Sequence, residues 1–170
     1  NPERKSPHKS PGGRTKEIQR LIGRSLRLAV DLSQIGRRTI WIDCSVIHAD
    51  GGTRTASITG GFVALVDALW NLYNQNEIET VPVAYGISAV SVGIVEGIHM
   101  LDLCASEDRS AAVDMNVVKT HSGKFVEVQG TAESEPFDNE SLSRLMDLAS
   151  KGNEEIQKVQ KNILGKKLEK

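Results

Sequence analysis

The first periodic run of apolar residues predicts an amphipathic helix over residues 15–33. Its apolar side chains recur three and four positions apart and therefore share one helical face. They are Ile18, Leu21, Ile22, Leu26, Ala29 and Val30. Arg20, Arg24 and Arg27 fall at i, i+4 and i+7 and form a basic stripe on the opposite face. Such a stripe is either a solvated face or a contact with RNA or a partner subunit.

A second apolar stripe predicts a helix that begins at Thr53 or Arg54 and runs to about Asn74. Between the two helices, residues 38–48 alternate in the manner of a β-strand. Both faces of this segment are largely apolar. We therefore expect a central strand that is covered on two sides.

The second half of the chain is dominated by β-branched runs. They predict strands over 81–95, 98–104, 111–119 and 124–130. Glu96 and Gly97 are a plausible two-residue hairpin turn between the first two of these strands. An acidic loop over 106–110 should separate the second strand from the third.

A helical pattern returns over 141–151 and 154–164, with a separation near Gly152. The order of elements predicts an α+β fold in which a mixed sheet carries helices packed on it. We expect one domain over 1–170, with a loop over 1–13 and a frayed C-terminus over 165–170.

Composition narrows the class of protein but not its partner. Apolar residues make up 39% and charged residues 25% of the 170 positions, which is typical of a globular domain rather than a disordered chain. The net charge of −1 gives no general reason to expect nucleic acid. Cys44 and Cys104 lie in or beside apolar runs without metal-ligand spacing. They are expected to be buried free thiols in a reducing cytoplasm.

Two segments place glycines and an arginine at a helix start. They are Gly12-Gly13-Arg14-Thr15 and Gly51-Gly52-Thr53-Arg54-Thr55. A helix start offers unpaired N–H groups and the positive end of the helix dipole, and arginine can grip a phosphate with two hydrogen bonds. Each segment taken alone is more simply a helix entry with threonine as the N-cap. The occurrence of both favours phosphate binding.

Two aspartates form the second candidate cluster. Asp108 lies in the acidic loop, and Asp114 interrupts an apolar strand. An aspartate inside a sheet usually needs a partner. That partner is either an arginine such as Arg109, in a salt bridge, or a divalent cation, for which Mg²⁺ is the best candidate. Composition alone does not decide between them.

Arginines for an anion and carboxylates for a metal are the groups needed for displacement at phosphorus. The sequence has no Ser–His–Asp arrangement, zinc-ligand spacing or phosphate-binding Walker sequence. The four histidines have no paired spacing and are expected to be structural or superficial. They are His8, His48, His99 and His121.

Four segments resemble the ribonuclease PH family in order and spacing. They are residues 13–27, residues 38–60, residues 101–118 and residues 126–137. The first reads Gly13-Arg14-Thr15-Lys16-Glu17-Ile18, the second contains Ala49-Asp50-Gly51-Gly52-Thr53-Arg54-Thr55, the third ends Val113-Asp114-Met115-Asn116-Val117-Val118, and the fourth contains Val126-Glu127-Val128-Gln129-Gly130-Thr131. The resemblance is stronger to the bacterial type than to the exosome-ring or polynucleotide phosphorylase relatives.

The resemblance implies a fold, an activity and a set of roles. The fold is the ribonuclease PH domain, of the ribosomal protein S5 domain 2-like type. The activity is removal of nucleotides from the 3′ end of tRNA precursors by inorganic phosphate, with Mg²⁺ as cofactor and a homohexameric ring of dimers as the assembly. Arg14, Gly52, Thr53 and Arg54 would bind phosphate, and Asp108 and Asp114 would serve catalysis and the metal. Arg20, Arg24 and Arg27 would contact tRNA or a subunit, and Arg4 would serve ring assembly.

The match also departs from the family. An N-terminal portion of the family domain is missing, and we expect apolar surface and sheet edges to lie open without it. Ser45, His48 and Lys119 replace an aspartate, a glutamine and an apolar residue of the family pattern. The alternative function is therefore a catalytically inactive subunit that binds RNA or completes a ring.

Overall fold

The structure is a computed structural model and describes residues 12–168. Its four α-helices are α1 (Gly13–Leu28), α2 (Thr53–Asn74), α3 (Ala105–Ser110) and α4 (Asn139–Leu164). Its strands are β1 (Ile87–Val95), β2 (Ile98–Leu101), β3 (Val113–Thr120) and β4 (Phe125–Ala132). Short 3₁₀ helices cover Leu32–Ile35 and Gly165–Leu168.

The four strands form one sheet in the order β2-β1-β3-β4. All three pairings within it are antiparallel, which differs from the expected mixed sheet. The connections are the reason, because β1–β2 and β3–β4 are hairpins and only the short α3 intervenes between β2 and β3. Glu96 and Gly97 make the first hairpin turn, as predicted, and both have a positive φ.

Helices cover both faces of this sheet, which confirms the predicted α+β class. On one face, α1 and α2 build a cluster around Phe62, Ile58, Leu69 and Ile87. On the other face, α4 packs Leu145 and Ala149 against alternate residues of β1 and β3. By length and composition alone, α2 is the one helix of residues 12–168 that could cross a membrane, although much of it is buried in the core.

Residues 38–48 do not form the predicted central strand. Ile40 and Ile42 pack against the α1–α2 cluster, but Trp41 is 90% exposed and Ile47 is 97% exposed. No other part of residues 12–168 forms a β-ladder with this segment. Its apolar pattern is that of a strand covered on both faces, and the structure covers one face only. Both cysteines are free, but Cys44 is exposed and Cys104 only partly buried, so the expectation that both are buried was wrong.

The C-terminal region is more helical than predicted. The helix α4 continues through Gly152 without a break. A Cβ at Gly152 would lie 2.7 Å from Leu101 Cδ1, so this glycine permits close packing of α4 on the sheet and does not end a helix. Residues 165–168, expected to be frayed, form a 3₁₀ helix, and Leu168 packs against the core. The acidic loop proves to be the helix α3.

Candidate active site

The start of α2 is built from two glycines with left-handed backbone. Gly51 has φ 94° and Gly52 has φ 59°. A Cβ on Gly51 would lie 2.1 Å from the backbone oxygen of Leu103, so only glycine fits where this loop crosses the end of β2. The N-cap is Gly52 and not Thr53. Threonine capping, the simpler interpretation from sequence, therefore does not account for Thr53.

Both helices start without a side-chain cap. Gly12 is the N-cap of α1 and Gly52 that of α2, and neither can accept a hydrogen bond through a side chain. The first N–H groups of a helix have no partner within the helix. Each start therefore presents N–H groups and a positive dipole end to whatever lies in front of it, an arrangement that favours an anion.

The helix α3 fixes the position of Asp108. Asp50 Oδ1 accepts a hydrogen bond from the Ala105 N–H at 3.0 Å, which ties α3 to the loop before α2. Glu107 Oε2 accepts from the Cys104 N–H at 2.8 Å and closes a capping box. The exposed Asp108 follows directly. The acidic cluster is thus fastened to the glycine loop of α2.

Asp114 lies near the start of β3, on the face of the sheet that carries α1 and α2. Burial, then the neighbouring Asp108 carboxylate, raises the pKa of Asp114 above its ordinary value, and Glu133 adds to the rise. The Arg54 guanidinium opposes it. These influences require Arg54, Asp108 and Asp114 to be near neighbours. The structure therefore brings these three predicted residues together.

Glu133 was missed by the sequence reasoning. Asp114 pairs in register with Thr131, and Glu133 continues β4 by donating its N–H to the Ala112 oxygen at 2.8 Å. Because side chains two apart share a face of a strand, Glu133 follows Thr131 toward Asp114. The period of β4 could have suggested this position, but only once the register with β3 was known.

Two contacts orient α1 on the sheet. Arg24 forms an ion pair with Glu127 of β4, and Gln129 Nε2 donates to Glu17 Oε1 at 3.0 Å. The helix α1 therefore runs antiparallel to β4. Its N-terminal part lies toward Thr131, which is the partner of Asp114. The start of α1 points to the same end of the sheet as Asp114.

Arg14 belongs to this end by its place in α1. It precedes Glu17 by three residues and Leu21 by seven. A seven-residue separation puts Arg14 on the same side of the helix as Leu21, which is buried. Arg14 is in the first turn of α1, where this side of the helix extends past the buried core residues. Among residues 12–168, no carboxylate forms an ion pair with Arg14.

The basic stripe of α1 is not uniform. Arg24 is paired with Glu127, whereas Arg20 and Arg27 are exposed. Arg27 borders a cavity of about 760 Å³ between α1, α2 and residues 38–46, whose wall includes Thr15, Thr53 and Arg54. Arg54 lines this cavity, whereas Asp108 and Asp114 are not among its lining residues. Arg4 lies outside the described residues.

No group of three or more His, Cys, Asp or Glu side chains suited to a metal occurs in residues 12–168. The two aspartates still suit Mg²⁺, which takes one or two carboxylates and completes its shell with water and phosphate oxygens. Burial is the main cause of the raised pKa of Asp114 and the Asp108 carboxylate is the second, and a bound cation would relieve the repulsion between the two carboxylates.

The three departures from the family pattern have different surroundings. Ser45 and His48 are exposed in the unpaired segment 38–48. Lys119 is buried, donates to Ser150 Oγ at 2.7 Å, and holds its Nζ 4.7 Å from the centre of the Phe125 ring. That contact is a cation–π interaction on the α4 side of the sheet, remote from Asp114.

An α+β domain that places an uncapped helix start and an arginine beside an acidic pair is of the class suited to binding an anion next to a cation. Two family models match the chain: 3′ exoribonuclease family, domain 1, over residues 1–70, and 3′ exoribonuclease family, domain 2, over residues 87–152. The chain belongs to the 3′ exoribonuclease family.

Among curated relatives, the chain is 56% identical over 153 residues to the ribonuclease PH of Moorella thermoacetica, covering 90% of the chain and 61% of the relative. It is equally similar to the ribonuclease PH of Syntrophomonas wolfei, covering 64% of that protein. The chain thus spans somewhat less than two thirds of these relatives.

Solved structures share the fold. Rice (Oryza sativa) Rrp46 matches with a TM-score of 0.66 at 17% identity, over 92% of this chain and 68% of that one. The Archaeoglobus fulgidus exosome, solved with RNA bound to the active site, matches with a TM-score of 0.66 at 18% identity, over 91% of this chain and 65% of that one.

Proposed function

We propose that the chain is the greater part of a phosphate-dependent 3′-to-5′ exoribonuclease that trims the 3′ ends of tRNA precursors. The observation that carries this proposal is the meeting of Arg54, Asp108 and Asp114 at the uncapped start of α2, with the uncapped start of α1 directed to the same end of the sheet. The similarity to curated ribonuclease PH proteins supports it.

Arg14, Arg54 and the N–H groups of Gly52 and Thr53 would hold inorganic phosphate as the nucleophile. A phosphate oxygen attacks the phosphorus of the terminal phosphodiester, and the bond to the 3′ oxygen of the preceding nucleotide breaks. The last nucleotide leaves as a nucleoside diphosphate. The shortened RNA keeps the 3′ oxygen, which takes up a proton. The reverse reaction adds a nucleotide from a diphosphate.

Asp114 is suited to the proton transfer, because burial and the Asp108 carboxylate raise its pKa above the ordinary value of 3.8. Asp108 and Asp114 would hold Mg²⁺, which when bound neutralises charge on the phosphodiester. Positioning of phosphate against the RNA end supplies most of the remaining rate enhancement.

The exposed arginines of α1 would contact RNA or a neighbouring subunit. Arg20 and Arg27 project from α1, and Arg24 is already neutralised in part by Glu127. We propose a homohexameric ring of dimers as the assembly, in which RNA approaches along this face. The alternative function, an inactive RNA-binding or ring-forming subunit, is favoured by the uncovered apolar surface of residues 38–48.

The experiment is an assay with a tRNA that carries extra 3′ nucleotides, in the presence of Mg²⁺ and phosphate. We expect nucleoside diphosphates, and none when phosphate is omitted. Nucleoside monophosphates formed without phosphate would show hydrolysis and reject the proposal. No product from folded protein that still binds tRNA would support the inactive subunit. Asp114→Asn is the matched control, since it keeps the side-chain shape and removes the charge.

A further inference from the structure

We propose that Gln129 is a positioning residue that holds the Glu17 carboxylate on β4 and away from Arg14. The proposal rests on the proposed phosphate site, because Arg14 matters only if it binds an anion. Gln129 Nε2 donates to Glu17 Oε1 at 3.0 Å. This contact joins the second turn of α1 to the strand that pairs with Asp114 and its neighbours.

Stability does not explain a glutamine at this position. Its Oε1 atom is buried and has no hydrogen-bond partner among the described residues. An unsatisfied buried acceptor costs free energy, and an apolar residue of similar size avoids that cost. Asn116 of β3 pairs in register with Gln129, and Ser91 of β1 pairs in turn with Asn116. The Ser91 Oγ atom is also buried and has no hydrogen-bond partner among the described residues. The row is polar where packing alone would favour apolar residues.

The contact removes a competitor of the anion. Glu17 follows Arg14 by three residues, so the two side chains are neighbours on the helix surface and can form an ion pair. In the structure they do not, because the Glu17 carboxylate is turned to Gln129. Without Gln129, the carboxylate is free to turn to the Arg14 guanidinium and to compete with phosphate for it.

The test compares four chains by calorimetric titration with inorganic phosphate. Gln129→Leu should weaken phosphate binding by roughly threefold to tenfold, and Glu17→Gln combined with it should restore the affinity. A purely structural role would not be rescued by the second change. Glu127→Leu is the control, since it removes the ion-pair partner of Arg24, which lies seven residues beyond Glu17 on α1. It should leave phosphate affinity unchanged within about twofold. The melting temperature of Gln129→Leu should not fall.

A second measurement separates this proposal from the proposed function. The Arg14 Nε–Hε signal in proton–nitrogen correlation spectra, recorded without phosphate, should shift in Gln129→Leu and return in the double variant. A signal that does not move overturns the role of Gln129, whatever the phosphate result. A signal that moves and returns in a chain that binds no phosphate leaves the role intact and rejects the phosphate site.

Discussion

At the residue scale, Asp114 is placed where its charge is unfavourable to folding. Its pKa is raised by burial first and by Asp108 second. A carboxyl whose pKa is higher in the folded state stabilises the fold below the unfolded pKa of 3.8, and this contribution is lost as pH rises through the folded value. At neutral pH the charge therefore opposes folding, as is common for groups kept for chemistry.

Asp114→Asn should consequently separate stability from activity. We expect its melting temperature to be equal to or higher than that of the parent chain, because the variant removes a partly buried charge and its repulsion from Asp108. Phosphorolysis should fall by about 10²–10⁴-fold. Thermal melting and the tRNA assay check the two parts. A clear loss of stability would mean that the attraction of Arg54 for the carboxylate outweighs the cost of its burial and the repulsion from Asp108.

His121 makes the stability of the fold depend on pH in the opposite direction to Asp114. Burial, the main cause, holds the pKa of His121 below its ordinary value of 6.5. Gln160 Nε2 donates to the Thr59 and Ile87 oxygens, so its Oε1 faces His121 Nε2 at 2.9 Å and the imidazole proton must sit on Nε2. The ring also lies edge-on to Phe62, with centroids 5.7 Å apart.

Acidification should therefore destabilise the chain through His121. Its folded pKa is lower than its unfolded pKa, so the unfolded state binds more protons between the two values. The free energy of unfolding should fall as pH drops below about 6.5 and level off below the folded pKa. Urea unfolding at several pH values measures this. His121→Gln should flatten the dependence, whereas His48→Gln, at an exposed position, should not.

At the element scale, a glycine in the loop before α2 and a glycine inside α1 have different reasons to be there. A Cβ on Gly51 would meet the Leu103 oxygen, and its φ is 94°. Gly23 lies inside α1 with nothing within 4 Å of an added Cβ. The first glycine is required by the site, and the second is not required by packing.

Alanine substitution should reveal this contrast. Gly51→Ala should destabilise the chain by about 1–3 kcal/mol or more, because strain and a backbone clash act together. Gly23→Ala should stabilise α1 by up to about 1 kcal/mol. Denaturant unfolding compares the two. Equal effects in both variants would contradict the placement of the Gly51 loop against β2.

The predictions of the individual elements succeeded where local pattern and tertiary packing agree. The bounds of α2, the Glu96-Gly97 turn and the existence of β3 and β4 follow from periodicity and turn chemistry. Gly152 was misinterpreted because a glycine that ends a helix and a glycine that admits Leu101 look alike in sequence. The contact of Gln129 with Glu17 depends on sheet register and helix docking, which one sequence does not display.

At the scale of the whole molecule, the site occupies one end of the α1–α2 face of the sheet. Three kinds of group meet there from separate parts of the chain: helix starts, an arginine and two carboxylates. The glycine and arginine segments and the two aspartates could be singled out from the sequence, but their residue types left open whether they bind an anion and a cation, and only the family resemblance joined them in one site. Their common location required the antiparallel register.

The exposed apolar face of residues 38–48 is the second feature of the whole molecule. Trp41 and Ile47 are 90% and 97% exposed, and Val46 is 58% exposed. Large apolar side chains grouped on one surface promote association. We expect Trp41→Ser combined with Ile47→Ser to lower self-association in sedimentation experiments and to reduce the binding of a hydrophobic dye. The free energy of unfolding should change by less than about 0.5 kcal/mol, as is usual for exposed positions.

Ile163→Ser is the control, because Ile163 is 61% exposed and belongs to another element, α4. Removing this single apolar side chain should leave association unchanged. If the control lowered association as much as the double variant, general surface hydrophobicity would be the cause. If the double variant instead unfolded the chain, Trp41 and Ile47 would have to contribute to the core, and segment 38–48 would be covered on both faces as its apolar pattern first predicted.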